Sequence, residues 1–252
     1  MIILFCPGEK RKKVVMYDGI WNLLYPKCCP VCFEILDDQT ALICDGCKKK
    51  LKIVEQPFCF CCGKPLYSPE QEYCFDCTKQ KHVFDRGFSL VVYNYASAPS
   101  ILSIKYKNKR EFLAFYGQLA KERYEKLLRE LNIECIVPVP ISRKKYRKRG
   151  YNQAELFGRE ISAWSGLPVK KNLILRRKET AALKELTPMQ RKWELNRAFV
   201  WRGQGYEGEK TVLLADDIYT SGATADACAG ILKKNGIKKV YVLTIAIGIG
   251  NG

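Results

Sequence analysis

One stretch constrains the fold more than any other: Thr211-Val212-Leu213-Leu214-Ala215-Asp216-Asp217-Ile218-Tyr219-Thr220-Ser221-Gly222-Ala223-Thr224. It opens as an apolar run of strand length, passes through two adjacent carboxylates and enters a small, hydroxyl-rich loop. Ala225 to Asn235 then reads as a helix, with Gly236 where a C-cap falls. That order places a helix N-terminus at the carboxyl end of a buried strand. Its free amides and dipole attract an anion. Thr220, Ser221 and Thr224 add hydroxyl donors, and Gly222 lets the backbone approach closely. This is a cradle for a phosphate. Asp216 and Asp217 repel phosphate but suit sugar hydroxyls or a magnesium ion. A ligand with a phosphate beside a diol fits both halves. A GxxxxGK[ST] loop is absent, and so is a GxGxxG following a strand. Walker-type nucleotide sites and dinucleotide sites are thereby excluded.

The run LLADDIYTSGAT resembles the phosphoribosyl-pyrophosphate (PRPP) signature of type I phosphoribosyltransferases, in which two acidic residues precede a TTGAT-like loop. The resemblance implies that the PRPP 5-phosphate lies on Tyr219, Thr220, Ser221, Gly222, Ala223 and Thr224. It places the ribose diol on the catalytic pair Asp216 and Asp217, with Asp217 near the ring. Magnesium would bridge diol and pyrophosphate.

Cysteine spacing defines a second unit. Cys29, Cys32, Cys44 and Cys47 form C-x2-C-x11-C-x2-C, and the pattern recurs thirty residues later as Cys59, Cys62, Cys74 and Cys77. Two C-x-x-C turns complete a tetrahedral four-thiolate site with no open position, so zinc here would be structural. Cys28 and Cys61 have no counterpart in the repeat and are left out. Sequential and crossed pairings use the same eight ligands, one or two ions are compatible with them, and an iron–sulfur centre would use the same sulfurs. The segment has few apolar residues, so its folding is expected to depend on metal.

The 252-residue chain is long enough for a medium domain and a small one. The expected organisation is an N-terminal extension over 1–27, a zinc module over 28–80 and an α/β domain over 81–252. Lys and Arg number 43 against 26 Asp and Glu, a net charge of +17 that favours anionic partners. No run is long enough to cross a membrane. Met1 to Cys6 is too short for a signal peptide, and a cytoplasmic location is expected. The thirteen cysteines then point to metal more than disulfides. His82, the only histidine, reads as a solvated surface residue without a role.

Between these landmarks, Phe84 to Tyr95 reads as a strand or hairpin, and Ala98–Tyr106 and Glu111–Leu131 as helices. Lys105-Tyr106-Lys107 is either a phosphate contact or a basic helix end. Cys135 to Val139 is a short strand closed by Pro138 and Pro140. Six cations in seven residues follow, Arg143-Lys144-Lys145-Tyr146-Arg147-Lys148-Arg149, and then Gly150-Tyr151-Asn152-Gln153. A basic helix start opposes the dipole unless an anion compensates. Such a run can neutralise pyrophosphate, or track single-stranded DNA with Tyr146 and Tyr151 stacking on bases. Lys105, Lys144, Lys145, Arg147, Arg149 and Tyr151 are the candidate anion or nucleic-acid contacts. Ala154 to Ser165 reads as an amphipathic helix, Leu173–Arg176, Phe199–Trp201 and Lys239–Ile247 as strands, and Cys135 and Cys228 as small core residues. Strands alternating with helices indicate a largely parallel sheet.

The block IVPVPISRKKYRKRGYNQA resembles the ComF family of competence-associated, phosphoribosyltransferase-like proteins. Lys105-Tyr106-Lys107 and the cysteine module match that family too, over about residues 28 to 248. The resemblance implies a type I phosphoribosyltransferase fold, a pyrophosphate loop at Val139, Pro140 and Ile141 with Arg143 beside it, and a role in bacterial DNA uptake alongside other uptake proteins. In the family's flap, Thr180 and Arg191 match. Leu183 stands for a glutamine and Glu194 for an asparagine, with Asn196 close by, so the acceptor differs or is lacking. A non-catalytic single-strand-binding protein that keeps the fold is the alternative.

Overall fold

The computed structural model describes residues 26–177, 197–204, 206 and 208–249. The extension up to residue 25 and the flap positions Thr180, Leu183, Arg191, Glu194 and Asn196 lie outside the described residues.

Residues 27–54 and 57–84 form two ribbons built alike. In each, the first cysteine amide bonds a carbonyl five residues on, Cys29 to Glu34 and Cys59 to Lys64, both at 2.8 Å. Phe33 and Gly63 take the same left-handed turn, φ 67° and 75°. Short helices then carry the last cysteine of each set: α1 (Asp45–Lys50) and α2 (Phe75–Lys79).

The main body follows as β1 (Arg86–Val92), α3 (Ala98–Tyr106), α4 (Leu113–Glu130), β2 (Cys135–Pro138), α5 (Arg143–Arg149) and α6 (Gln153–Ser165). A two-stranded antiparallel piece, β3 (Ile174–Arg176) with β4 (Phe199–Trp201), precedes β5 (Thr211–Tyr219), α7 (Ala223–Lys234) and β6 (Lys239–Ile247). The four long-range strands pair in parallel in the order β1-β6-β5-β2. Parallel strands need crossovers, and these cover both faces with helices. Phe84 to Tyr95 yields the single strand β1 and no hairpin, because its partner is the distant β6.

β5 shows why the sheet is buried on both faces. Val212 and Leu214 pack in the core shared with α7 and ribbon 2. Leu213 and Ala215 pack in the core shared with α3, α4 and α6. The strand continues through the acidic pair to Tyr219, further than the apolar run alone suggested. Cys135 and Cys228 are fully buried, and burial pushes both thiols above the ordinary range, Cys135 to about 12. They are neutral core residues.

The ribbons differ in what supports them. Ribbon 1 has a core of Cys29, Leu36 and Cys47. Ribbon 2 contributes Cys59, Cys62 and Cys74 to the main core. Its contact with β1 is backbone on backbone: a Cβ on Gly63 would lie 2.7 Å from the Gly87 carbonyl oxygen. Gly63→Ala therefore forces ribbon 2 off β1 and strains a left-handed residue. The expected cost is about 1–3 kcal/mol, read as a lowered thermal midpoint. Gly46→Ala, which meets nothing within 4 Å, is expected to be neutral or slightly stabilising.

Candidate functional site

β5 delivers two carboxylates to the carboxyl edge of the sheet, and its pleat turns them to opposite faces. Asp216 faces the α7 side and lines a pocket with Val139, Thr220, Gly222, Thr224 and Thr244. Asp217 faces the α3–α6 side and is 7% exposed. The backbone joins them, the Asp217 amide donating to Asp216 Oδ1 at 2.8 Å.

Asp217 is tied from two helices. Lys105 Nζ of α3 lies 3.0 Å from Oδ1, and Gln153 Nε2 of α6 donates to Oδ2 at 2.6 Å. Arg149 donates to Gln153 Oε1 at 2.8 Å and stacks over Tyr106 at 5.0 Å. Asn152 caps α6 by accepting from the Ala154 amide, and its Nδ2 holds the Val139 carbonyl at 3.0 Å. The Tyr106 segment, the basic stretch and the acidic pair, distant in sequence, thus meet at one carboxylate. Lys105 and Arg149 are engaged within this network.

Asp216 is half-buried at the residue level, with its carboxyl set inside. Burial, then the charge of Asp217, pushes it from 3.8 up to about 7. The pocket it lines has a volume of about 20 Å³, room for a water. A larger ligand must reach the acids from the open edge and exchange the partners of Asp217.

Beyond the acids, Thr220 and Ser221 are exposed. Gly222 takes φ 75° and caps α7 without a side chain. The first-turn amides of α7 thus face the loop unblocked by a cap residue. Tyr219, read from sequence as part of the loop, is the last residue of β5 and is buried. Its hydroxyl turns toward His82 Nε2 at 3.3 Å. His82 is not the solvated residue expected: its side chain is 3% exposed and bonds Asp226. Sequence reasoning missed it because its partners lie about 140 residues away. On this flank a cleft of about 500 Å³ is lined by Lys64, Phe75, Lys79, His82, Thr220 and Ser221.

Of the expected pyrophosphate residues, Val139 and Pro140 are buried. The Val139 amide is spent on the Ala215 carbonyl at 2.9 Å, continuing the β2–β5 pairing. Arg143 is exposed at the start of α5, capped by Ser142. Lys144, Lys145, Tyr146, Arg147 and Lys148 are exposed with it. Tyr151 departs from expectation. It is 5% exposed, its hydroxyl bonds the Ile104 carbonyl, and Arg110 covers its ring at 4.2 Å, so it cannot stack on a base.

The cysteine sets are sequential. Ligand atoms of Cys29, Cys32, Cys44 and Cys47 lie within 4.8 Å of one another, and so do those of Cys59, Cys62, Cys74 and Cys77. Cys32–Cys44 and Cys62–Cys74 sulfurs are 3.9 and 3.6 Å apart. Tetrahedral zinc with bonds of about 2.3 Å needs about 3.8 Å between sulfurs, so the sets fit the ion. Cys61, excluded by the repeat, sits with Cys77 and His82 in a third group.

Residues 20–78 match the double zinc ribbon domain. Competence protein F of Haemophilus influenzae is 31% identical over 211 residues, 81% of this chain and 90% of that protein. DNA utilization protein YhgH of Escherichia coli K12 is 26% identical, covering 61% of this chain and 69% of that protein. Adenine phosphoribosyltransferase of Saccharomyces cerevisiae is similar in structure with a TM-score of 0.35 and 14% identity, over 57% of this chain and 72% of that one. Among the described residues no helix is long and apolar enough to cross a membrane.

The raised Asp216 carboxyl makes stability pH-dependent. Its folded value, about 7, exceeds the ordinary 3.8. The neutral form is favoured in the fold, so its contribution is full below about pH 4 and is lost as pH rises through 7. Asp216→Asn keeps that contribution. Without added ligand, its stability should match wild type near pH 4 and exceed it near pH 8, by up to about 4 kcal/mol, as read by thermal unfolding.

Proposed function

The chain belongs to the family of competence protein F, and on that premise we propose that it binds PRPP with magnesium and serves DNA uptake and natural transformation from the cytoplasm. One observation carries the ligand assignment. Val139 of the expected pyrophosphate loop, Asp216, and Thr220, Gly222 and Thr224 of the expected phosphate loop border a single pocket. Lys105 and Gln153 hold the second acid beside it.

In this reading the 5-phosphate takes the first-turn amides of α7 and the hydroxyls of Thr220, Ser221 and Thr224. The ribose diol approaches Asp216 and Asp217, replacing Lys105 and Gln153 on the latter. Two carboxylates supply the hard oxygen donors that magnesium prefers, and the ion, when bound, neutralises the pyrophosphate. The available chemistry is pentosyl transfer. Displacement at the anomeric carbon builds positive charge on the sugar and negative charge on the departing pyrophosphate. It needs positioning and electrostatics more than a strong base. Lys105, once released from Asp217, and Arg143 would meet that negative charge.

A second reading rests on a different observation. α5 leaves Arg143, Arg147 and Lys148 exposed, and Tyr106 and Tyr146 lie open at 63% and 50%. Cations interleaved with open rings suit single-stranded DNA. The two readings are compatible, with PRPP as a regulatory ligand of a DNA-binding protein.

They separate in two measurements. PRPP with magnesium should raise the wild-type thermal midpoint in proportion to the logarithm of its concentration. Asp216→Asn with Asp217→Asn should abolish that response, and its survival would refute the site. Affinity for a short single strand should fall with salt. Replacing Arg143, Arg147 and Lys148 by Ala should flatten the log–log slope by about 0.7 per lost contact, while PRPP stabilisation through the acids persists. An unaltered slope counts against α5 as the DNA surface.

A further inference from the structure

Residues 80–85 lead from ribbon 2 into β1 and lie along α7 as a strap. Asp226, in the first turn of α7 and 4% exposed, is the buckle. The Val83 amide donates to its Oδ1 at 2.6 Å, and His82 Nδ1 meets its Oδ2 at 2.9 Å. Asp85 secures the far end, accepting from the Val240 amide at 2.8 Å and pairing with Lys233 at 2.8 Å.

The His82 ring stacks on Phe84 at 4.7 Å and presents Nε2 to the Tyr219 hydroxyl. Together these two side chains occupy the space that Gly222 leaves by having no Cβ: one built there would lie 2.7 Å from His82 Cε1 and would also collide with the Tyr219 hydroxyl. On the other side, the ligand atoms of His82, Cys77 and Cys61 lie within 4.8 Å of one another. One imidazole therefore lies within 4.8 Å of a sulfur of the second four-cysteine set, bonds the first turn of α7 and lies beneath the loop after the acids.

We propose that His82 couples the metal state of the second ribbon to the conformation of the 219–222 loop, so that zinc on Cys59, Cys62, Cys74 and Cys77 favours the phosphate-ready loop and a bound phosphate favours the zinc. The physical reason is the weakness of what lies between. α2 spans Phe75–Lys79 and has no side-chain cap. A helix that short does not stand alone. Ligation of Cys74 and Cys77 holds it, and His82 follows Cys77 by five residues. Losing the metal frees the strap at its ribbon end, and the support beneath Gly222 goes with it. Linkage is reciprocal, so each occupant raises the affinity of the other by the same factor. That bound phosphate favours the zinc rests on reading 219–224 as a phosphate loop; that the metal orders this loop does not. His82 acts through the loop and is a positioning residue.

The test uses the full chain with both sites loaded with zinc, and metal content verified for each variant. Amide hydrogen exchange is followed over residues 220–226. Cys74→Ser, which breaks the second site, should accelerate exchange there by roughly 5-fold or more. Cys44→Ser, which breaks the first, should not. His82→Ala keeps all eight cysteines and should reproduce the acceleration with both metals retained. His82→Asn keeps a donor for Asp226 and should restore most of the protection, which a loss of bulk stability would not explain. In wild type, PRPP with magnesium should slow chelator extraction of the second zinc by a similar factor, and His82→Ala should erase that slowing. Unchanged loop exchange in His82→Ala, or equal acceleration by Cys44→Ser, overturns the coupling even where PRPP still protects the wild-type loop. If PRPP has no effect on wild type while the exchange pattern holds, the coupling stands and the PRPP assignment falls.

Discussion

The pleat of β5 is the constraint on which the rest of the site depends. A parallel strand buried on both faces alternates its side chains between two cores. Val212 and Leu214 enter one, Leu213 and Ala215 the other. When the apolar run gives way to Asp216 and Asp217, the alternation does not stop. Adjacent acids are therefore sent to different surroundings. One shares a pocket with the loop and Thr244. The other is seized by Lys105 and Gln153. Two identical residues acquire different surroundings from a single geometric rule.

The ribbons show the same economy with a different outcome. Their hydrogen bonds, turns and cysteine spacing repeat almost residue for residue. Yet ribbon 1 keeps Cys29, Leu36 and Cys47 in a small core of its own and joins the main body at its end, through Leu51 and Val54, whereas ribbon 2 sends its cysteines into the main core, with Gly63 against Gly87. Phe33 fills the left-handed position in ribbon 1 and Gly63 in ribbon 2. At Gly63 the neighbour is backbone, which leaves no room for a Cβ; the Phe33 ring lies partly exposed beside Phe112. Ribbon 2 thus forms, through Lys64, Phe75 and Lys79, one wall of the cleft beside Thr220 and Ser221.

The cations that the sequence marked as anion contacts have two different surroundings. Lys105 and Arg149 are drawn into the network around Asp217, where they fix acids and helices. Arg143, Arg147 and Lys148 of α5 are exposed, on a short helix capped by Ser142. A basic run read as one feature is thus a structural clamp at its end and an exposed cationic surface along its length. Tyr151 belongs to the clamp, since burying its ring under Arg110 ties α3 to the start of α6.

By itself the sequence determined the order of elements, the parallel sheet, the repeat of four-cysteine turns and the strand–acid–loop–helix corner. Each of these rests on local periodicity or fixed spacing, which a chain carries in one dimension. Most strand bounds were legible for the same reason, as with Lys239–Ile247. Tertiary structure alone decided the pairing of the cysteine sets, the capture of Asp217 by α3 and α6, the burial of Tyr151, and the place of His82 beneath Gly222. These depend on contacts between residues far apart in the chain, such as His82 with Asp226. A lone histidine between two modules has no pattern to betray it, and only the packing of ribbon 2 along α7 gives it a partner.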